Sequence, residues 1–91
     1  MTPEEIFLKE GFVNVYTWED VANTKYAEHF HQGKVSLFIT AGEISFSFPS
    51  KKEKTIVRGQ RFDVPVQVTH SAVVGKNGCS YVVGEMIAGD S

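Results

Sequence analysis

The sequence predicts an all-β fold, a sandwich or small barrel preceded by one short helix. Two observations predict it. After Gly11 the chain breaks into about seven or eight short runs rich in Val, Ile, Phe and Tyr, with Gly, Pro, Asn and Lys at the turns between them. Within the runs, apolar and polar residues alternate as they do on a strand with one buried face. With 91 residues, no repeat and no linker-like segment, the chain is expected to form a single domain, 1–91.

The helix comes first. Thr2 is placed to cap it, Pro3 suits the first helical position, and Glu5 completes a capping box with Thr2. Gly11 can end it in a left-handed conformation. The β runs then follow as FVNVYTW (12–18), KVSLFIT (34–40) and EISFSFP (43–49), with AG between the last two, and as TIVRG, RFDVP, VTHSAVVG and CSYVVGEMI. In 43–48, Ile44, Phe46 and Phe48 share one face, and Glu43, Ser45 and Ser47 the other. Val35, Leu37 and Ile39 likewise oppose Ser36, Phe38 and Thr40. Phe38 makes the second face of that strand partly apolar, so something must cover it, either the N-terminal segment or a partner subunit. That strand, with the exposed-looking Phe30, predicts a homodimer.

Composition narrows the function. The net charge is −2, and the only basic cluster, KKEK at 51–54, reads as a solvated turn. No electrostatic footprint for nucleic acid or an anionic membrane is present. Cys79 is the only cysteine, so no internal disulfide can form. No apolar stretch is long enough to span a membrane, and MTPEEIFLKEG lacks a signal-peptide pattern. These features predict a soluble, cytoplasmic protein.

The chain has three histidines. His29 and His31 flank Phe30, and on a strand over 27–31 they would point into one space. Such a pair alone also fits incidental surface or core histidines. His70, on a strand beginning near Val68, would add a third imidazole if the barrel sets 70–74 beside 29–31. Three imidazoles suit Fe, Mn, Ni, Zn or Cu, and three protein ligands leave coordination positions open, as a catalytic metal requires. Tyr26, Tyr81 and Glu85 are the candidates for acid–base work near such a site.

The residues also carry a family pattern. From about Gly11 to Ile87 the chain resembles the small single-domain members of the cupin superfamily. The first cupin motif has HxH, a glutamate four residues after the second histidine, and a glycine seven residues later; His29, His31 and Gly42 match it. The second has Gly, five residues, Pro, one residue, Gly, two residues, His, three residues, Asn; Gly59, Pro65 and His70 match it. Val35 stands in place of the glutamate, Gln67 of the glycine, and Val74 of the asparagine. Gln60 holds the position of the usual aspartate, which Asp63 does not.

The resemblance implies a small jelly-roll-like β-barrel with a three-histidine metal site at His29, His31 and His70, with Fe the first expectation. Val35, Leu37, Phe46, Val74 and Tyr81 are expected to line its pocket. It also implies a mononuclear metalloenzyme that oxidises a small molecule with O₂ or isomerises a carbonyl compound or sugar. A non-catalytic module binding a small, sugar-like molecule is the alternative.

Overall fold

In the computed structural model of the chain, residues 1–49 and 51–90 are described. Helix α1 covers Pro3–Lys9, and its start follows the sequence signals. The Glu5 N–H donates to Thr2 Oγ1 (3.1 Å), and the Thr2 N–H donates back to Glu5 Oε1 (2.9 Å). Gly11, at φ +95°, closes it. The Gly11 N–H reaches the Leu8 carbonyl and the Phe12 N–H the Phe7 carbonyl, both at 3.1 Å. This is a Schellman motif with its apolar contact in place, since the Phe7 and Phe12 rings are 5.2 Å apart.

Six strands follow: β1 (Asn14–Asp20), β2 (Lys25–His29), β3 (Val35–Phe48), β4 (Lys51–Val57), β5 (Arg61–Val64) and β6 (His70–Glu85). All the pairings are antiparallel. β6 is the spine. Its second half pairs with β1 on one side and with the first half of β3 on the other; its first half pairs with β2 and with the second half of β3. β5 extends the first half of β3, and β4 the second half. Each half of the β3–β6 ribbon therefore anchors its own four-stranded layer, and the two layers enclose the core.

This layout corrects the expectation of short strands separated by turns. Residues 34–40 and 43–49 are largely parts of one 14-residue strand, and 68–75 and 79–87 are largely parts of one 16-residue strand. Ala41–Gly42 and the segment near Gly78 are bends inside strands, where the β3–β6 register shifts. Gly42 has φ +74°, and a Cβ there would stand 2.0 Å from the Gly78 carbonyl oxygen. The two long strands cross from layer to layer at this close approach, which admits only glycine. KKEK is not a turn either, because 51–57 pair with β3 as a strand.

The core has two parts. Val35, Leu37, Ile39, Ile44, Phe46 and Val74 belong to the larger cluster, between the layers. On the outer side Phe7, Phe12 and Val82 form a second cluster, against which Phe38 packs. The N-terminal segment therefore covers the second apolar face of β3, and Phe38 gives no reason for a partner subunit. Arg61 fastens the helix. Its guanidinium makes a two-pronged ion pair with Glu10 (2.6 and 2.7 Å) and lies over the Phe7 ring. No helix among the described residues is long and apolar enough to cross a membrane.

Candidate metal centre

The three histidines meet at one end of the space between the layers. His29 ends β2 and His70 begins β6, and the two are directly paired across the strands. Their ring centroids are 4.5 Å apart, with His31 5.0 Å from His29 and 5.1 Å from His70. One ring nitrogen from each lies within 4.8 Å of the others. His70 and His31 are buried, and His29 is half-buried.

The expected route to this convergence needs one correction. β2 stops at His29, so His31 is not on a strand. Contacts from distant segments hold it instead. Its carbonyl accepts the Gln67 N–H (2.9 Å), and its Nδ1 donates to the Asp90 carbonyl (2.9 Å). The Asp90 carboxylate takes the N–H groups of Gln32 (3.0 Å) and Gly33 (2.8 Å), clamping the turn after His31. Gln67 itself has φ +57°, at the position where the cupin pattern has glycine. A side chain there is held in the left-handed region that glycine adopts most easily, at a cost of about 1 kcal/mol.

Hydrogen bonding orients all three rings. His29 Nδ1 meets the Ala27 carbonyl (2.7 Å), His70 Nδ1 the Val68 carbonyl (2.9 Å), and His31 Nδ1 the Asp90 carbonyl. A carbonyl oxygen can only accept, so each Nδ1 carries a proton, and in the neutral ring that leaves the lone pair on Nε2. Metal-ligating histidines are held in this way. Burial pushes the His70 pKa below that of an ordinary imidazole, and the two neighbouring rings push it the same way, against the Val68 carbonyl. Three imidazoles held this way, with one ring nitrogen of each drawn together, fit a transition-metal ion.

A cavity of about 340 Å³ opens onto the three rings. Val35, Leu37, Phe46 and Tyr81 line it, together with Tyr16, Trp18 and Tyr26. Val74 does not line it; its side chain is fully buried in the core. Val35, in the place of the first-motif glutamate, puts an apolar wall beside the histidines and supplies no fourth ligand.

Glu85 does not line the cavity either. Fully buried, it accepts Asn14 Nδ2 (2.8 Å), the Tyr16 hydroxyl (2.9 Å) and the Gly89 N–H (3.1 Å), and so ties β1 to the end of β6. Tyr26 and Tyr81 do line it, and both donate to Asp20. Burial and that carboxylate raise both phenol pKa values, so both stay protonated at neutral pH. Asp20 escaped the sequence reading because nothing near it in the chain marks a site; its partners come from 61 residues away as well as from six. Cys79 is buried, with its thiol pushed up to about 11 by burial and the charges of Asp20 and Glu43, so it is no nucleophile.

No family model and no curated protein matches the sequence. Solved structures match the fold. A cupin-like protein from Thermotoga maritima superposes with a TM-score of 0.70 at 17% identity, over 80% of this chain and 56% of that one. The DMSP lyase DddQ from Ruegeria pomeroyi gives 0.67 at 22% identity, over 76% of this chain and 35% of that one. A protein from Neisseria meningitidis gives 0.66 at 22% identity, over 91% of this chain and 95% of that one. The chain thus spans about half or less of the first two and nearly all of the third. It has the cupin fold, a double-stranded β-helix.

Proposed function

We propose that the chain binds one divalent transition metal through Nε2 of His29, His31 and His70 and acts there on a small molecule as a mononuclear metalloenzyme. The observation that carries this reading is the orientation of the rings, with every Nδ1 proton given to a backbone carbonyl and every Nε2 left for an ion. The cupin resemblance makes Fe(II) the first expectation, and Mn, Ni, Zn or Cu also suit an all-imidazole set. A bound ion supplies Lewis acidity and open coordination positions for a substrate oxygen or for O₂. The chain's part is to exclude water with Val35, Leu37 and Phe46 and to hold the substrate against the rings. Dioxygenase-type oxidation and isomerisation of a carbonyl compound or sugar are the two reaction classes that this arrangement supports.

A second reading, a non-catalytic module for a small, sugar-like ligand, has its own support. Tyr26 and Tyr81 are engaged with Asp20, and Glu85 is buried away from the cavity, which leaves no carboxylate among the described residues of its wall. Elemental analysis of untagged protein beside a His70→Ala variant tests the metal: about one equivalent in the first and little in the second is expected. Metal in neither, after reconstitution, refutes the three-histidine site. O₂ consumption and carbonyl-isomerisation assays on the loaded protein then separate enzyme from module, as does ligand binding that is indifferent to chelators. We further infer a cytoplasmic homodimer, supported by the exposed Phe30 and Trp18 and by the terminal place of β1 in the sheet. A monomer in sedimentation at micromolar concentration refutes the dimer.

A further inference from the structure

The cavity has a second polar wall. The Asp20 carboxylate receives three donors: the Tyr26 hydroxyl on Oδ1 (2.5 Å), Trp18 Nε1 on the same oxygen (3.0 Å), and the Tyr81 hydroxyl on Oδ2 (2.7 Å). Asp20 is buried and is not among the residues that line the cavity, whereas Trp18, Tyr26 and Tyr81 are. A phenol has one proton, and an indole N–H only donates. With those protons given to Asp20, what the two tyrosines present to the cavity is oxygen lone pairs, backed by a negative charge. A ligand carboxylate or carbonyl there would face acceptors and an anion; a hydroxyl or ammonium group would find partners.

We propose that Tyr26 and Tyr81, held by Asp20, form a second recognition pole of the cavity, and that it takes a hydrogen-bond donor, a hydroxyl or ammonium group, on a small and otherwise apolar molecule. The proposal deepens the proposed function and rests on the reading of this cavity as a small-molecule site. Apart from the three histidines, the wall agrees with it: Val35, Leu37, Ile44, Val64 and Val83 carry no polar side chain, and Tyr16 gives its hydroxyl proton to Glu85. Burial and the Asp20 charge raise the pKa of both phenols, which keeps the two O–H groups intact at neutral pH.

Trp18 is the only tryptophan in the chain, so its emission reports on this cluster alone. The test titrates chelator-stripped protein at pH 8 with benzyl alcohol, benzylamine and benzoate, which share one ring and one carbon count. Benzyl alcohol and benzylammonium are expected to half-saturate the emission change at about fivefold lower concentration than benzoate, the worth of one hydrogen bond made rather than opposed. The preference should vanish in a Tyr26→Phe/Tyr81→Phe variant and persist in His70→Ala. If the double variant does not fold, each single variant should narrow the preference. Asp20→Asn should turn it toward benzoate, because an amide N–H can donate to one phenol and free that phenol's proton for the ligand.

Benzoate binding as well as or better than the donors, a preference kept without the phenols, or no saturable change with any probe overturns the proposal. Metal uptake is measured separately. A chain that takes up no metal but keeps the donor preference refutes only the three-histidine site. One that binds metal but shows no preference refutes only the donor pole.

Discussion

Asp90→Ala should weaken metal binding without touching a ligand. His29 and His70 take their orienting carbonyls from two residues back on their own segments, but His31 takes its carbonyl from Asp90, 59 residues away. What keeps Asp90 there is its carboxylate, which accepts the Gln32 and Gly33 N–H groups at 3.0 and 2.8 Å. A hydrogen bond to a charged group contributes about 1.5–3 kcal/mol when desolvated and less at an exposed site, and the Gln32 bond is exposed, so the clamp is worth about 2 kcal/mol. Loss of the group that orients a metal-bound histidine typically costs about 10–100-fold in affinity, or about 1.4–2.8 kcal/mol. The two estimates agree, and a roughly 30-fold rise in Kd for Zn(II) is expected, with Asp90→Asn in between because one acceptor oxygen remains. Isothermal titration with Zn(II) at pH 7.5, beside circular dichroism to confirm the fold, measures it. A folded Asp90→Ala protein whose Kd stays within about twofold of the parent would refute the view that Asp90 sets the His31 ring.

Gly42→Ala would force a Cβ to within 2.0 Å of the Gly78 carbonyl at φ +74°, so thermal unfolding should show a loss of about 3 kcal/mol or more, a Tm drop of about 10–20 °C; an unchanged Tm would mean that the strand crossing is loose. Val35→Glu places a carboxylate on the cavity wall beside the histidines, and urea unfolding should find the metal-free protein less stable by about 3 kcal/mol, with much of the loss recovered on adding Zn(II); equal loss with and without Zn(II) would show that position 35 cannot reach the ion. The Cys79 thiol is pushed up to about 11 from an ordinary value of 9.0. A folded-state pKa above the unfolded one gives stability that is full below pH 9 and is lost as the pH rises toward 11. Urea midpoints measured across that range should therefore fall less steeply in Cys79→Ser than in the parent, and parallel slopes would refute the burial argument.

Much of the fold was legible because local rules and tertiary structure agree. The capping box at Thr2–Glu5 and the glycine at position 11 form as their residue types require, since both depend on contacts within a few residues. The alternation in 43–48 set Ile44 and Phe46 inward for the same reason. Strand continuity was less legible. AG at 41–42 reads as a turn in sequence, yet Gly42 bends a single long strand, and only the opposing Gly78 backbone distinguishes the two. Phe38 called for a cover, but which cover, helix or partner, depended on where the N-terminal segment lay.

For the candidate site, the amino-acid sequence by itself determined the donor set. Three histidines, two of them one residue apart, and the cupin-like spacing through Gly42, Gly59 and Pro65 named the residues that meet. Tertiary structure decided how they meet. His31 lies beyond its strand and is aimed by Asp90, Val74 is sealed in the core, and Asp20 gathers Trp18, Tyr26 and Tyr81 behind the cavity wall. The physical reason is range. Caps and strand faces are set by neighbours a few residues apart, whereas ring orientation and hydrogen-bond polarity are set by partners brought together only when the barrel closes.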